Sequence, residues 1–478
     1  LRSVVRSHFP LPKKYDIIRY FVKMIKILIL DVYPSDNWRL VKDTAGGYGT
    51  GNDFGSNFLG KIMNFFVSKT ISMPPMSAMY IFSILKNKRA DVEYTKKIDA
   101  KISIKDYDFV IMPSSIISHE TEVKELKRLT SLGIKVFVIG IFANVKKDAY
   151  HMKNAFIIPG EPESFFLEID LKKENLKKYF DNESKSYFGK PFVNNLDDLP
   201  FPSWDDYLKK YNLRNNFLSF NSKDAIPIVA TRGCPYSCFS YCTYPLQQGR
   251  KVRFRSVDNV VNEIKHWIKL IGAEKFVFRD PVFSINRKYT VSLCNEIINQ
   301  NLKIEFLIES HLNNLDEELI ELLYRSGLKL IYIGIESADS EVLKDNKRFT
   351  IEKDTQYQLI KKLENKGIMV KSMFMLANPE DNEQTTMDTI KYSKLLPNQL
   401  VQFSVFTPYP GTPIFKKFEN DIVTNKMENF NQYNLVYKHK IFDEQLLNKY
   451  KQIAYKNFYF NIKNLLIIFK TFISIFRK

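Results

Sequence analysis

After Ala225, short apolar runs suited to buried strands alternate with longer segments of helical apolar spacing. That alternation restricts the fold more than any other feature. The strand candidates are 225–231, 275–279, 303–309, 329–335, 369–376 and 400–406, and the helix candidates are 257–271, 287–301, 316–326, 354–366 and 382–396. Strands separated by helices pair in parallel, which predicts a partial (β/α)6 barrel of TIM type whose last helix is displaced. Its working face is expected at the loops that follow the strands.

Residues 25–165 repeat the alternation separately, with strand candidates Lys26–Val32, Val92–Ile98, Tyr107–Pro113, Lys135–Ile141 and Ala155–Pro159, and helical spacing over Thr121–Leu132. An open parallel sheet of Rossmann type is expected there. Such sheets bind ligands beyond the carboxyl ends of their strands, which selects Ser114, Ser115, Gly140, Gly160 and Glu161. Between the blocks, 166–224 is polar, and the prolines of Leu196-Asp-Asp-Leu-Pro-Phe-Pro-Ser-Trp204 forbid a helix interior, so a linker is expected. The expected order is a basic extension (1–24), a Rossmann-like domain (25–165), the linker (166–224), the barrel (225–415) and a helical C-terminal region (416–478). Met24 directly precedes the first strand, so residues before it read as an over-extended start.

The chain holds four cysteines, and three of them, Cys234, Cys238 and Cys242, share the run Thr231-Arg-Gly-Cys-Pro-Tyr-Ser-Cys-Phe-Ser-Tyr-Cys-Thr-Tyr-Pro245 after the first barrel strand. Three thiolates can hold three irons of a [4Fe–4S] cube and leave the fourth iron open. Structural zinc would want a fourth ligand, and the nearest downstream histidine, His266, lies inside a helix candidate. Cys294 falls on an apolar helical face and reads as a buried small hydrophobe. Polar residues stand at other strand ends: Asp280, Glu309, His311, Glu336 and Ser337. For each, a turn or cap role is the competing reading.

At the cysteine run the chain resembles the radical S-adenosylmethionine (radical SAM) superfamily, and within it the cobalamin-binding-domain subgroup. The family pattern is CxxxCxxC with an aromatic before the last cysteine, the place of Tyr241; here the second spacing is one residue longer, which predicts a bulge at Phe239-Ser240. Gly334-Ile-Glu-Ser337, Thr407-Pro-Tyr-Pro-Gly-Thr-Pro413 and Gly160-Glu-Pro-Glu163 also match. The resemblance implies a [4Fe–4S] cluster on the three cysteines and S-adenosylmethionine facing Tyr241, Asp280, Glu309, Glu336 and Ser337. It further implies reductive cleavage of S-adenosylmethionine to a 5′-deoxyadenosyl radical that attacks an unactivated carbon. A cobalamin on Ser114, Ser115, Gly140, Gly160 and Glu161 would make the enzyme a C-methyltransferase. No DxHxxG supplies a histidine lower ligand, so an empty scaffold stays open beside cobalamin.

Lys+Arg outnumber Asp+Glu by 71 to 53, a net charge of +18 that favours an anionic partner unless lysine is background bias. Lys449, Lys456, Lys463, Lys470 and Arg477 recur every seven residues beside Leu465, Ile468, Phe469, Phe472 and Ile475. That suits either a helix on an anionic membrane surface or one docked on the barrel. Gly55-Ser-Asn-Phe-Leu-Gly-Lys-Ile62 nearly spells a phosphate loop, but Ile62 replaces the Mg²⁺-binding hydroxyl. Neither a secretory signal nor an 18-residue apolar span is seen, so the expected location is cytoplasmic, with peripheral contact at the inner membrane face. The expected partners are a small or lipid-linked substrate and an electron donor such as flavodoxin or ferredoxin, without specific nucleic acid. Two other readings compete. A tRNA-modifying methylthiotransferase would need further cysteines, and residues 1–233 hold none. A degenerate barrel held at membranes as a binding protein is the other.

Overall fold

The computed structural model describes residues 24–459 apart from 35–39, 52–59, 62–63, 65–72, 99–101, 182–190 and 214–223. Two parallel sheets organise it. The first holds β1 (Lys26–Leu30), β2 (Asp91–Thr95), β3 (Phe109–Pro113), β4 (Val136–Ile139) and β5 (Ala155–Ile157), in the order β2-β1-β3-β4-β5. This is the expected Rossmann-like sheet, with its switch point between β1 and β3. Both faces are covered: helix α1 (Met76–Asn87) packs in one apolar cluster with Ile27, Ile29, Phe109 and Phe137, while α2 (His119–Ser131) sets Leu126 and Leu129 against Leu28, Val110 and Val136.

The second sheet holds β6 (Ala225–Ile228), β7 (Lys275–Phe278), β8 (Glu305–Ser310), β9 (Leu328–Glu336), β10 (Met369–Leu376) and β11 (Leu400–Val405), all parallel and in chain order. It is the expected six-stranded partial barrel. Alternation along the strands separates two surfaces. Ile226, Phe276, Phe306, Ile331, Val370 and Val401 face the helices, whereas Ala225, Val277, Leu307, Leu330 and Leu400 meet in the interior. The surrounding helices are α3 (Val257–Ile271), α4 (Arg287–Asn299), α5 (Glu317–Ser326), α6 (Lys353–Asn365) and α7 (Glu383–Leu395).

The first barrel helix shows why local sequence sufficed there. The Ser256 side chain accepts from Asn259 N–H at the start of α3, and Gly272 ends it in the left-handed region at φ +65°. The displaced last helix is α8 (Glu444–Tyr459). The Tyr459 hydroxyl donates to the Val401 carbonyl at 3.0 Å and accepts from Val401 N–H, and Tyr455 pairs with Phe403 in the same way. This part of the helix is docked on the β11 edge; Lys463, Lys470, Arg477 and the apolar strip beside them lie outside the described residues, as does most of the Gly55–Ile62 stretch.

Residues 166–224, expected as a linker, are packed in their described parts. Lys173–Asp181 is helical, and Leu196, Trp204 and Tyr207 are fully buried in the cluster that also holds Ile27 of the first sheet and Ile226 of the second. The polar composition concealed this because a few large aromatic side chains do the packing. The Trp204 indole N–H donates to the Pro227 carbonyl, 3.0 Å away, which fixes the connection beside β6.

Candidate functional site

The cysteine loop leaves β6 and is anchored at both ends. Thr231–Arg232 pairs antiparallel with Arg253–Phe254, and Cys234 N–H donates to the Gly249 carbonyl. Gly233 sits at φ +100°, where a Cβ would stand 2.2 Å from the Lys251 carbonyl oxygen, so only glycine fits this crossing. The residue that lengthens the second spacing is taken up by a 3-10 turn, Cys238–Ser240, with Ser240 left-handed at φ +51°. All four cysteines are free thiols. Burial, with the Cys234 and Cys238 sulfurs close by, pushes the Cys242 thiol up to about 12. Bound iron would cancel that penalty, because coordination holds sulfur as thiolate. Among the described residues no three His, Cys, Asp or Glu side chains form a preformed single-ion site. Three thiols on one short loop are the donor set of a [4Fe–4S] cluster that takes one cysteine per iron and leaves one iron open.

Arg348, in the loop after β9, was not found from sequence. Its Nη1 lies 3.1 Å from Cys238 Sγ, and its Nη2 donates to the Gly334 carbonyl at 2.8 Å and lies 3.6 Å from Glu336 Oε1. A Cβ on Gly334 would come within 2.5 Å of Glu336 Oε1 and 2.8 Å of Arg348 Nη2, so that glycine makes room for the pair. Glu336 adopts φ +69°, an unfavourable backbone for a non-glycine residue, and burial raises its carboxyl above the usual range against the pull of Arg348. Tyr241 packs edge-on to Phe406, with ring centroids 5.9 Å apart, and burial, followed by the nearby Glu336, raises its phenol well above the ordinary range. Cys238, Tyr241, Glu336 and Arg348 thus converge at the barrel mouth. A groove of about 650 Å³ opens beside them, lined by Tyr236, Cys238, His311, Lys344 and Arg348 among others. An anionic group and an ammonium brought to an open iron would meet a cation and a carboxylate here.

Two residues expected to face S-adenosylmethionine make hydrogen bonds to the backbone. The Asp280 carboxylate accepts from Ala230 N–H at 3.2 Å and from Thr231 N–H, fixing the root of the cysteine loop. Ser337 Oγ accepts from Asp339 N–H at 3.1 Å and touches Thr389 Oγ1, which organises the turn into the next helix. His311 caps its own turn by accepting from Asn313 N–H, and burial together with Arg348 drives its imidazole down to about 3. Cys294 is wholly buried in α4, as read.

Glu309 belongs to a second cluster. Arg279 Nη1 lies 3.5 Å from it, and the same guanidinium donates to the Asp43 carbonyl at 2.8 Å and to the Asp43 carboxylate at 3.3 Å. Asp43 comes from the first unit. The barrel interior is polar at this level: Lys371 Nζ stands 4.6 Å over the Tyr332 ring and is pushed down to about 8 by burial, above the apolar floor of Ala225, Val277, Leu307, Leu330 and Leu400.

The loop around Ala45, Gly46 and Gly47 rests on the cysteine loop. Gly46, at φ +55°, lies against the Thr243 peptide, and Thr243 Oγ1 donates to the Ala45 carbonyl. Around the crevice between the units, Glu161 accepts both Nη atoms of Arg253, at 2.8 and 2.7 Å, as well as Val193 N–H. Ser114 Oγ accepts from Ala143 N–H, and Ser115 gives N–H and Oγ to Glu122. Gly140 and Gly160 hold positive φ against Ser114 and Pro191. The crevice itself is lined by Gly140, Gly160, Tyr244, Gln247 and Arg279 among others. Glycine backbone, an aromatic face and amide and guanidinium edges thus surround a free volume of about 50 Å³.

The model of the Radical SAM superfamily matches residues 228–393. An uncharacterised methyltransferase of Pyrococcus horikoshii is 27% identical over 283 residues, 58% of this chain and 59% of that protein. The bacteriochlorophyllide d C-12(1)-methyltransferase of Chlorobaculum tepidum is 26% identical over 401 residues, 80% of this chain and 82% of its own. The cobalamin-dependent S-adenosylmethionine radical enzyme OxsB, solved with aqua-cobalamin and S-adenosylmethionine, superposes with a TM-score of 0.64 at 14% identity, covering 90% of this chain and 66% of that one. Residues 228–393 thus match the Radical SAM superfamily, and the barrel with the Rossmann-like unit ahead of it shares the fold of cobalamin-dependent radical SAM enzymes.

Proposed function

We propose that the protein is a radical SAM C-methyltransferase acting on a small or lipid-linked metabolite. The convergence of Cys238, Arg348 and Glu336 at the barrel mouth carries this reading. When bound, the cluster and S-adenosylmethionine supply one-electron reductive cleavage and hydrogen-atom abstraction, and a corrinoid supplies a methyl group. The chain's own part is to bind, orient and exclude water. Cys234, Cys238 and Cys242 hold the cluster; Arg348 and Glu336 fix the charged ends of S-adenosylmethionine, with Tyr241 beside them. Asp280 and Ser337 are positioning residues. The apolar floor closes the interior to water, and Lys371, Tyr332 and the Arg279–Glu309 pair give it the polarity to orient a substrate with a hydrogen-bonding or anionic group. The corrinoid would lie beyond the carboxyl ends of the first sheet's strands, by Gly140 and Gly160.

The electron donor belongs to the flavodoxin or ferredoxin class. Neither competing reading draws support: the methylthiotransferase lacks its extra cysteines, and the degenerate barrel is at odds with an intact cysteine loop. The decisive experiment is paramagnetic resonance of the anaerobically reconstituted, reduced protein. A [4Fe–4S]⁺ signal that shifts on adding S-adenosylmethionine and disappears in Cys238→Ala is expected; a signal indifferent to S-adenosylmethionine would refute the reading.

A further inference from the structure

Glu309, Tyr332 and Lys371 stand in one register row across β8, β9 and β10, because Tyr332 is paired with both of the others. They face the barrel interior, two residues above Leu307, Leu330 and Met369 in the row below. Accessible surface separates the two sides of these strands. The helix-facing Ile331, Ile333, Val370, Ser372 and Phe403 are buried, whereas the interior-facing Tyr332, Lys371, Met373, Gln402 and Ser404 are only half-buried. Above its floor the barrel therefore encloses a lumen that these side chains do not fill.

Lys371 has no counter-ion there among the described residues. Its ammonium stands over the Tyr332 ring, and Glu309 acts on it from beyond ion-pair distance. Arg279, at the same level, is already met by Glu309 at 3.5 Å and by Asp43 at 3.3 Å. A buried ammonium without a partner is costly, and a ligand that brings the missing anion offsets the cost. One negative charge suits the place, since Glu309 would repel a second. Four residues of β9 separate Tyr332 from Glu336 at the mouth, a strand rise of about 13 Å. A substrate whose anion reaches Lys371 must be long enough to present its reacting carbon near the level of Glu336.

We infer that the barrel lumen takes an elongated monocarboxylate, held by its carboxylate on Lys371 with the rest of the molecule directed to the mouth, and that Lys371 sets this specificity. The inference rests on the reading of the mouth as the S-adenosylmethionine site. Its test is equilibrium dialysis of the full chain, cluster reconstituted and S-adenosylmethionine added, against radiolabelled octanoate, octanamide and octyl phosphate. Octanoate is expected to bind about tenfold or more tighter than octanamide, and tighter than octyl phosphate. Lys371→Met keeps a stem of similar length and should abolish the preference for octanoate over octanamide. Equal wild-type affinities, tighter octyl phosphate, binding of none of the three, or a preference that survives Lys371→Met would overturn the inference. The spectroscopic shift with S-adenosylmethionine is recorded separately, so failure of the inference and failure of the reading beneath it are told apart. A second measurement needs no variant: acetylation of Lys371 by acetic anhydride, followed by peptide mass spectrometry, should be lost with saturating octanoate and kept with octanamide. Labelling that octanoate leaves undiminished would overturn the inference.

Discussion

Arg348 Nη1 lies 3.1 Å from Cys238 Sγ, and Nη2 of the same guanidinium lies 3.6 Å from Glu336 Oε1, so a single buried side chain links the middle cysteine to the β9 carboxylate. In Arg348→Gln the cysteines keep their ligating atoms, and iron content is expected to match the wild type. S-Adenosylmethionine binding should weaken about tenfold or more, or roughly 1.4 kcal/mol. Stability should fall by about 3 kcal/mol, because Glu336 is left buried without its cation. Adding Glu336→Gln should recover stability and not binding. Chemical denaturation and equilibrium dialysis separate the two effects.

Ser240 carries the conformational cost of the lengthened cysteine spacing, at φ +51°. Glycine tolerates that backbone without a Cβ penalty, so Ser240→Gly should stabilise the apo protein by up to about 1 kcal/mol. Reconstitution should then yield at least the wild-type iron stoichiometry, as an iron and sulfide assay will show. Gly233→Ala is the opposite case: its Cβ meets a carbonyl 2.2 Å away, and poor iron retention is expected.

Burial raises the Asp280 carboxyl from 3.8 to about 6, although two backbone N–H groups favour its ionised form. A folded-state pKa above the unfolded one contributes stability that is complete below the unfolded pKa and is lost as pH rises through the folded one. Between about pH 4 and 7 the group should therefore withdraw on the order of 2 kcal/mol. In Asp280→Asn that dependence is absent. The wild-type-minus-variant difference in unfolding free energy should fall by this amount over the window, and a flat difference would contradict it.

The described part of α8 is held on β11 by the Tyr455 and Tyr459 hydroxyls. Removing residues 460–478 leaves both hydroxyls in the chain, and Tyr459→Phe should cost about 1 kcal/mol. If the basic stripe meets anionic lipid, the truncated chain should lose flotation with anionic vesicles that the full chain shows. Equal flotation would remove membrane contact from the proposal.

Sequence was most informative where the determinants are local. Both ends of α3 could be read because Ser256 and Gly272 flank an apolar period, and β10 because an apolar run of strand length sits between two helices. The cysteine loop was visible because chemistry-bearing residues are concentrated within a few positions. Arg348 was not, since its meaning depends on Cys238, 110 positions away, and on a β9 glycine that admits it. Lys371 was hidden for the same reason: it looks like any other residue of its type in a lysine-rich chain until the fold sets it over Tyr332 in the barrel interior. Asp280 and Ser337 stand at the strand ends where the sequence puts them, but the peptides they hold, at Ala230–Thr231 and Asp339, are set by the fold and not by position in the chain.

The cluster that contains Ile27 also contains Trp204, Ile226 and Tyr455, so apolar contacts run unbroken from the first sheet through the connection to the last helix. Arg232 and Arg253 add ion pairs to Glu161 across the same boundary. Anyone recombining this protein with its relatives would find no seam to cut: a barrel excised at residue 225 would carry away one side of an interior built to be shared, and the pieces would evolve, and be engineered, only as a pair.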